Sequence, residues 1–286
     1  MKVIVSFIVF IVLLSIGLTI LKNYDDLLGQ LAWRKLEKVD TPLPEQSFSI
    51  DMVSDLPQPA RRYFEYMITP GTPLKSSTTI EMGGRLGLGP KDRPDYMDMG
   101  AVQILTFPEG FVWKMKSGRG PMVLTGFDGL YKDKSWSRFW LMQSIPVGRA
   151  GGRSHRQADH RRSAFGRLAM ETAMWAPGAL LPSEIVSWTA SDSDTAVATI
   201  KYDGLVQVVE IHVDDNGQPL KIETQRWSDV NPSNSYRPQP FGGFPSAFKE
   251  FNGYRLPTHV EGGHLIGTKD YFPFYIADIE KVTFGD

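Results

Sequence analysis

From Val3 to Leu21 the chain contains no charged residue, and no later stretch is uncharged for so long. Wound as a helix at about 1.5 Å per residue, this segment falls just short of the roughly 30 Å of a bilayer's hydrocarbon core. A cleavable secretory signal has a shorter apolar core and a small-residue exit. Ile20, Leu21, Lys22, Asn23 and Tyr24 supply no such exit, so residues 1–22 read as an uncleaved transmembrane anchor. Lys2 precedes it, and Lys22 is followed closely by Asp25 and Asp26. That bias favours the N-terminus inside and the bulk of the chain extracytoplasmic, a single-pass topology. Residues 23–40 set Leu27, Leu28, Leu31, Trp33 and Leu36 beside Arg34, Lys35 and Lys38. This is the amphipathic pattern of a juxtamembrane helix that lies on a membrane surface or packs on the domain. Pro42 and Pro44 end it.

A short helix is predicted after Asp55. Pro57 and Pro59 stand at its start, Tyr63, Phe64, Met67 and Ile68 follow at helical spacing, and Pro70 and Gly71 stop it. From Leu74 the period changes to two. Asp128-Gly129, Asp203-Gly204 and Asn252-Gly253 sit between apolar residues and read as two-residue hairpin loops, with Asp214 to Gly217 as a longer turn. Ala196, Ala198, Ile200 and Tyr202 share one strand face, as do Val209, Ile211 and Val213. No strand, helix, strand repeat of the parallel kind appears. Residues 41–286 therefore read as a single α+β domain, a strongly curved antiparallel β-sheet or incomplete β-barrel with one main helix packed on it.

That helix is predicted over His160 to Ala176, with Phe165, Leu168, Ala169, Thr172 and Trp175 on one stripe and Pro177-Gly178 as its stop. Glu171 lies within the stripe, so its carboxylate points toward the sheet. Burial of that charge requires a partner. The ordinary outcome is an ion pair, with Arg167 one turn back or with Arg226 on the sheet. The sharper outcome is a carboxylate in a ligand cavity, and Glu171, Trp175, Trp188 and Arg226 form the candidate ligand-binding set.

Composition adds limits. Hydrophobic residues make up 42% and charged residues 22% of the chain, as in an ordinary globular protein. A formal net charge of −1 argues against nucleic acid as a partner, since phosphate binding needs surplus Lys and Arg. With no cysteine, disulfides, thiol nucleophiles and thiolate metal sites are excluded. No G-x-S-x-G elbow, phosphate-cradling loop or H-E-x-x-H pattern occurs. The glycine cluster from Gly83 to Gly89 reads as a flexible hairpin tip, because Pro90 and Pro94 follow where a phosphate loop needs a helix. His259, Glu261 and His264 offer metal ligands, but Gly262-Gly263 interrupts the strand and no further close histidine completes a set, so no metal or cofactor is expected. The stretch from Arg149 to Arg162 holds His155, His160 and five arginines. It is either a solvated loop or a surface for lipid headgroups or another anionic partner, with Arg153, Arg156, Arg161 and Arg162 as its candidates. At 12% aromatic residues, the tryptophans are accounted for by packing between sheet and helix, although a curled sheet of this size can also hold one ligand.

The order of Glu171, Trp175, Pro177, Leu181, Pro182, Val186 and Trp188, followed by Asp215, Gly217 and Arg226, resembles a bacterial family known only as a domain of unknown function. Leu56, Pro57, Pro59, Arg61, Arg62, Tyr63 and Phe64 near the start, and Phe251, Gly253, Arg255, Pro257 and Thr258 near the end, are similar to its terminal motifs. The resemblance spans most of residues 55–284 and implies one domain, in a family whose members often carry an N-terminal membrane segment. It departs from the family pattern in the arginine-rich loop before Asp159. The sheet-plus-helix order is also similar to the half-open barrels of LolA/LolB-like lipoprotein carriers, a fold analogy only. Together these features favour non-catalytic handling of a hydrophobic or lipidic molecule in the cell envelope. A scaffold for another envelope protein is the first rival, and an envelope hydrolase using Glu171 and a histidine is the second.

Overall fold

Alternating burial along successive strands is what builds this protein. In the computed structural model, which describes residues 2–39, 47–120, 122–152, 156–231 and 233–285, thirteen strands form one antiparallel sheet. They are β1 Ser77–Gly87, β2 Tyr96–Thr106, β3 Gly110–Ser117, β4 Leu124–Tyr131, β5 Lys134–Leu141, β6 Ile145–Gly151, β7 Val186–Ala190, β8 Thr195–Tyr202, β9 Leu205–Val213, β10 Pro219–Ser228, β11 Arg237–Phe251, β12 Tyr254–His264 and β13 Tyr275–Phe284. Their spatial order runs β6-β5-β4-β3-β2-β1-β13-β12-β11-β10-β9-β8-β7. The N- and C-terminal strands pair at the centre, and β6 and β7 remain as unpaired edges. The barrel is therefore incomplete, as the period-two pattern implies.

The chain crosses from one edge to the other through helix α3, Gln157–Trp175. This helix touches β3 to β6 on one half of the sheet and β9, β10 and β12 on the other. Only a strongly curved sheet allows that. Residues of one strand parity, such as Phe111, Trp113 and Met115 on β3, Ala198 and Ile200 on β8, and Val209 and Ile211 on β9, join Phe165, Leu168 and Trp175 in a single core. The two-fold alternation puts the intervening side chains outside. Helix α2, Gln58–Met67, closes part of the same core with Tyr63 and Phe64 against Trp188.

Helix α1 runs without a break from Lys2 to Glu37, so the two segments read separately in sequence are one rod. Its first half is exposed and apolar, and the helix is long and apolar enough to cross a membrane. Its second half packs on the outer face of β2 to β4, where Ala32 and Leu36 meet Ile104 and Val112. Asp25 is fully buried there. Arg149 grips both of its oxygens, with Nη2 donating to Oδ1 at 2.9 Å, and the Trp140 indole donates to Oδ2 at 3.2 Å. Arg138 lies 3.4 Å away. Residues 40–46, and with them the predicted proline stop, lie outside the described residues.

Two turn readings need correction. Asp203-Gly204 and Asn252-Gly253 do turn β8 into β9 and β11 into β12, with positive φ at all four residues. Asp128-Gly129 instead sits inside β4, and the turn comes later at Lys132-Asp133. A Cβ on Gly129 would lie 2.4 Å from the Trp136 ring, so glycine is there to admit an indole from the neighbouring strand. Likewise Gly83, Gly84 and Gly87 belong to β1, where Gly83 and Gly84 pair with both β2 and β13 and Gly87 pairs with β2. Gly84 has φ +136 and faces the Ile276 carbonyl 2.0 Å from a would-be Cβ, a position closed to any other residue.

Candidate functional site

The concave face of the sheet and one side of α3 leave a half-open cavity of about 300 Å³. Its depth is made by Trp113 on β3, Val260 on β12, and Met170, Met174 and Trp175 on α3, all buried. The helical spacing of those last three residues brings them to one side of α3. At the other end Leu86, Gly87, Leu88, Phe139, Phe274 and Tyr275 line the opening, and all six are partly or fully exposed. Apart from a polar cluster on one wall and Arg226 on the other, the walls are largely apolar.

That cluster centres on Arg167. Its Nε donates to Glu171 Oε1 at 2.7 Å, its Nη2 donates to Gln103 Oε1 at 3.0 Å, and its Nη1 donates to Asp128 Oδ2 at 3.3 Å. The second Glu171 oxygen accepts from Gln103 Nε2 at 2.7 Å. Burial works against the Arg167 charge, but Glu171 and then Asp128 outweigh it and raise its pKa above the ordinary arginine value. The Arg167 guanidinium also lies over Phe111, 4.6 Å from the ring centre.

Arg226, on β10, reaches the cavity from the opposite wall. Its Nε donates to the Ser163 carbonyl at 3.1 Å and its guanidinium lies 4.6 Å over Phe241. Among the described residues no carboxylate lies within salt-bridge distance of it. Burial, followed by repulsion from Arg167, brings its pKa down to about 10, so it stays charged at neutral pH. Two further polar atoms in the lining, Trp113 Nε1 and Asp128 Oδ1, are buried without a protein partner. His264 stacks on Phe274 and meets Phe241 at a tilt beside the opening, and burial with the nearby Arg226 charge lowers its pKa to about 3. It is a neutral ring in this setting.

Glu171, Trp175 and Arg226 thus line one cavity, and Glu171 has the ion pair with Arg167 that its place on the stripe predicts. Trp188 does not join them. It lies on β7 against Tyr63 and Phe64, with its indole donating to the Leu180 carbonyl at 2.8 Å. The sequence offered no sign that α2 would cover that part of the sheet.

Each described arginine of the basic stretch has a protein partner, although Arg156 and Arg162 remain exposed. Arg161 bonds Asp203, Arg156 reaches Asp229 at 3.5 Å, Arg162 lies 3.9 Å over Trp227, and Arg149 is spent on Asp25. Arg153 and His155 lie outside the described residues. His259 is bonded to Asp278 at 2.7 Å, while the half-buried His264 lies between the Phe241 and Phe274 rings. Glu210, His212 and Glu223 do converge on the outer strands, a grouping the sequence reading missed because it spans two strands. Lys221 lies 2.5 Å from Glu223 and supplies its countercharge. His160 bonds Ser135 and Ser137, and both Glu171 oxygens are taken by Arg167 and Gln103. Among the described residues no histidine is bonded to Glu171.

The sequence matches the model of a family described as "Family of unknown function (DUF6544)" over residues 46–275. No curated protein matches it. Among solved structures it is similar to a LolA superfamily protein from Nitrosomonas europaea, at 12% identity and TM-score 0.40, covering 80% of this chain and 92% of that one. It is also similar to a putative outer membrane lipoprotein-sorting protein domain from Vibrio parahaemolyticus, at 10% identity and TM-score 0.40, covering 82% and 91%.

Proposed function

We propose that this chain, which belongs to the DUF6544 family of unknown function, is a membrane-tethered protein that binds the apolar part of a lipidic molecule without catalysing its conversion. The observation that carries this reading is the half-open cavity between α3 and the sheet. Its volume of about 300 Å³ lies at the lower end of ordinary ligand pockets. An apolar wall with few polar atoms is the usual composition of such a site. Arg226 and the unpartnered Trp113 indole supply polar contacts for one head group, while Met170, Met174 and Val260 meet a chain. The flexible methionines allow the wall to adapt to chains of differing shape.

The tether follows from the exposed apolar half of α1, with the domain held outside the cytoplasm by the charge bias around it. The chain shortened to begin at Lys22, which keeps the packed half of α1, should bind a fluorescent fatty-acid probe saturably. Val260→Trp, which fills the depth of the cavity, should abolish the signal while leaving the fold intact by circular dichroism. Absence of saturable binding, or unchanged binding by Val260→Trp, would remove this reading.

A further inference from the structure

The register of the sheet fixes which end of the cavity is open and which way α1 leaves the domain. β1 and β5 end, and β2, β4, β6 and β13 begin, at a single end of the sheet, as the pairings of Leu86 with Met97 and Tyr275, and of Leu124 with Leu141, require. The cavity opening belongs to this end, for Leu86, Gly87 and Leu88 close β1, Phe139 is near the close of β5, and Phe274 and Tyr275 open β13.

Helix α1 lies along the outer face parallel to β4. Asp25 meets Trp140 near the close of β5, Gly29 faces Phe127 in the middle of β4, Lys35 lies over Tyr131 at the far end of β4, and the Leu36 carbonyl accepts from Thr106 at the far end of β2. Followed backwards, the helix therefore leaves the sheet at the end where the cavity opens. Lys22 lines the same cleft as Gln143 in the β5–β6 turn, so residues 3–21 project beyond that turn. The buried Asp25, held by Arg149 and Trp140, and the packed Ala32 and Leu36 make the rod and the sheet one body. The opening and the apolar half of α1 cannot point in opposite directions.

This end of the sheet also presents exposed apolar side chains, beside the exposed charges of Lys91, Asp92, Arg93 and Arg119. Leu88 is 55% exposed, Met122 56%, Met142 46%, Ile145 48% and Val147 53%. Leu88, Met122 and Met142 come from the β1–β2, β3–β4 and β5–β6 connections, which are neighbours in the sheet order, and Ile145 and Val147 lie at the start of β6.

We propose that this rim docks on the bilayer that receives α1, so that the cavity opens directly against the lipid surface. The occupant is a membrane, because the helix that emerges beside the rim is, among the described residues, the one helix long and apolar enough to enter one. This rests on the lipid-binding reading and adds to it a route, since a lipid chain can pass between bilayer and cavity without crossing water.

The chain has no cysteine, so single-cysteine variants take a spin label at one place. Leu88→Cys and Met142→Cys report on the rim, and Lys134→Cys and Lys249→Cys, exposed at the other end of the sheet, are the controls. The full chain is reconstituted in palmitoyl-oleoyl phosphatidylcholine vesicles, and label relaxation by oxygen is compared with that by a water-soluble nickel chelate. The rim labels should show an oxygen preference several-fold above the controls. Equal, water-like accessibility at all four positions overturns the docking, as does recovery of the chain free of vesicles. Probe binding to the cavity that persists beside a water-exposed rim would overturn the docking alone, whereas a bilayer-immersed rim without probe binding supports the docking and overturns the cavity reading.

Discussion

Replacing Glu171 by Gln tests the polar cluster because the hydrogen-bond directions around it are already assigned. Glu171 accepts from Arg167 at one oxygen and from Gln103 at the other, while the Gln103 carbonyl accepts from Arg167. A glutamine at 171 can present an acceptor to only one of these two donors. The Gln103 amide cannot turn over to compensate without losing its own bond from Arg167. The substitution also leaves a buried guanidinium with Asp128, at 3.3 Å, as its remaining carboxylate partner. Removing one member of a buried pair costs about 3–5 kcal/mol, and the surviving Asp128 contact reduces that to roughly 2–4 kcal/mol. For a domain of this size the loss corresponds to a fall in Tm of roughly 5–15 °C. Thermal melts of the detergent-solubilised chain read it directly. Gln103→Glu in the same background returns a carboxylate to Arg167 and should recover much of the loss. An unchanged Tm would refute the network as drawn, and lost lipid binding at full stability would make Glu171 a ligand contact rather than a support for Arg167.

Other outcomes follow from the same contacts. Asp25→Asn strands Arg138 and Arg149 and should raise hydrogen exchange across residues 25–37, with a loss of about 2–4 kcal/mol; unchanged protection there would mean that the rod is not held by this carboxylate. A chain begun at Thr41 uncovers Ile104 and Val112 and should aggregate or melt well below one begun at Lys22, and equal melts would show the packed half of α1 to be dispensable. His264 is kept neutral down to about pH 3 in the folded state but takes a proton near its ordinary value of 6.5 once unfolded. Its contribution is therefore fully present above pH 6.5 and is lost as pH falls toward 3, at up to about 1.4 kcal/mol per unit. His264→Phe should flatten that part of the stability profile, and an unchanged slope would place the acid sensitivity elsewhere.

The alternation of Ala196, Ala198 and Ile200, the Asn-Gly and Asp-Gly turns at 252 and 203, and the stripe of α3 were legible in the sequence because each depends on residues a few positions apart. Gly129 and Gly84 were not, since their reasons, the Trp136 ring and the Ile276 carbonyl, come from neighbouring strands. A glycine needed for close approach and a glycine needed for a turn look alike in one dimension. The site divides in the same way. The Glu171–Arg167 pair is one helical turn and was foreseen, whereas Gln103 and Asp128 reach it from two separate strands. Trp188 was misplaced because nothing local announces that α2 covers β7. For the docked half of α1 a signal did exist. Asp25, Gly29, Ala32 and Leu36 recur at helical spacing, and the small residues at 29 and 32 let a sheet come close to the helix, with Phe127 3.1 Å from where a Gly29 Cβ would be.

Native mass spectrometry of the full chain released from a mild detergent counts what the cavity holds. A species carrying one lipid mass per chain is expected, and it should be absent from the Val260→Trp variant. A bare chain mass, a lipid mass that Val260→Trp retains, or a stoichiometric protein partner in its place would contradict lipid binding in the cavity.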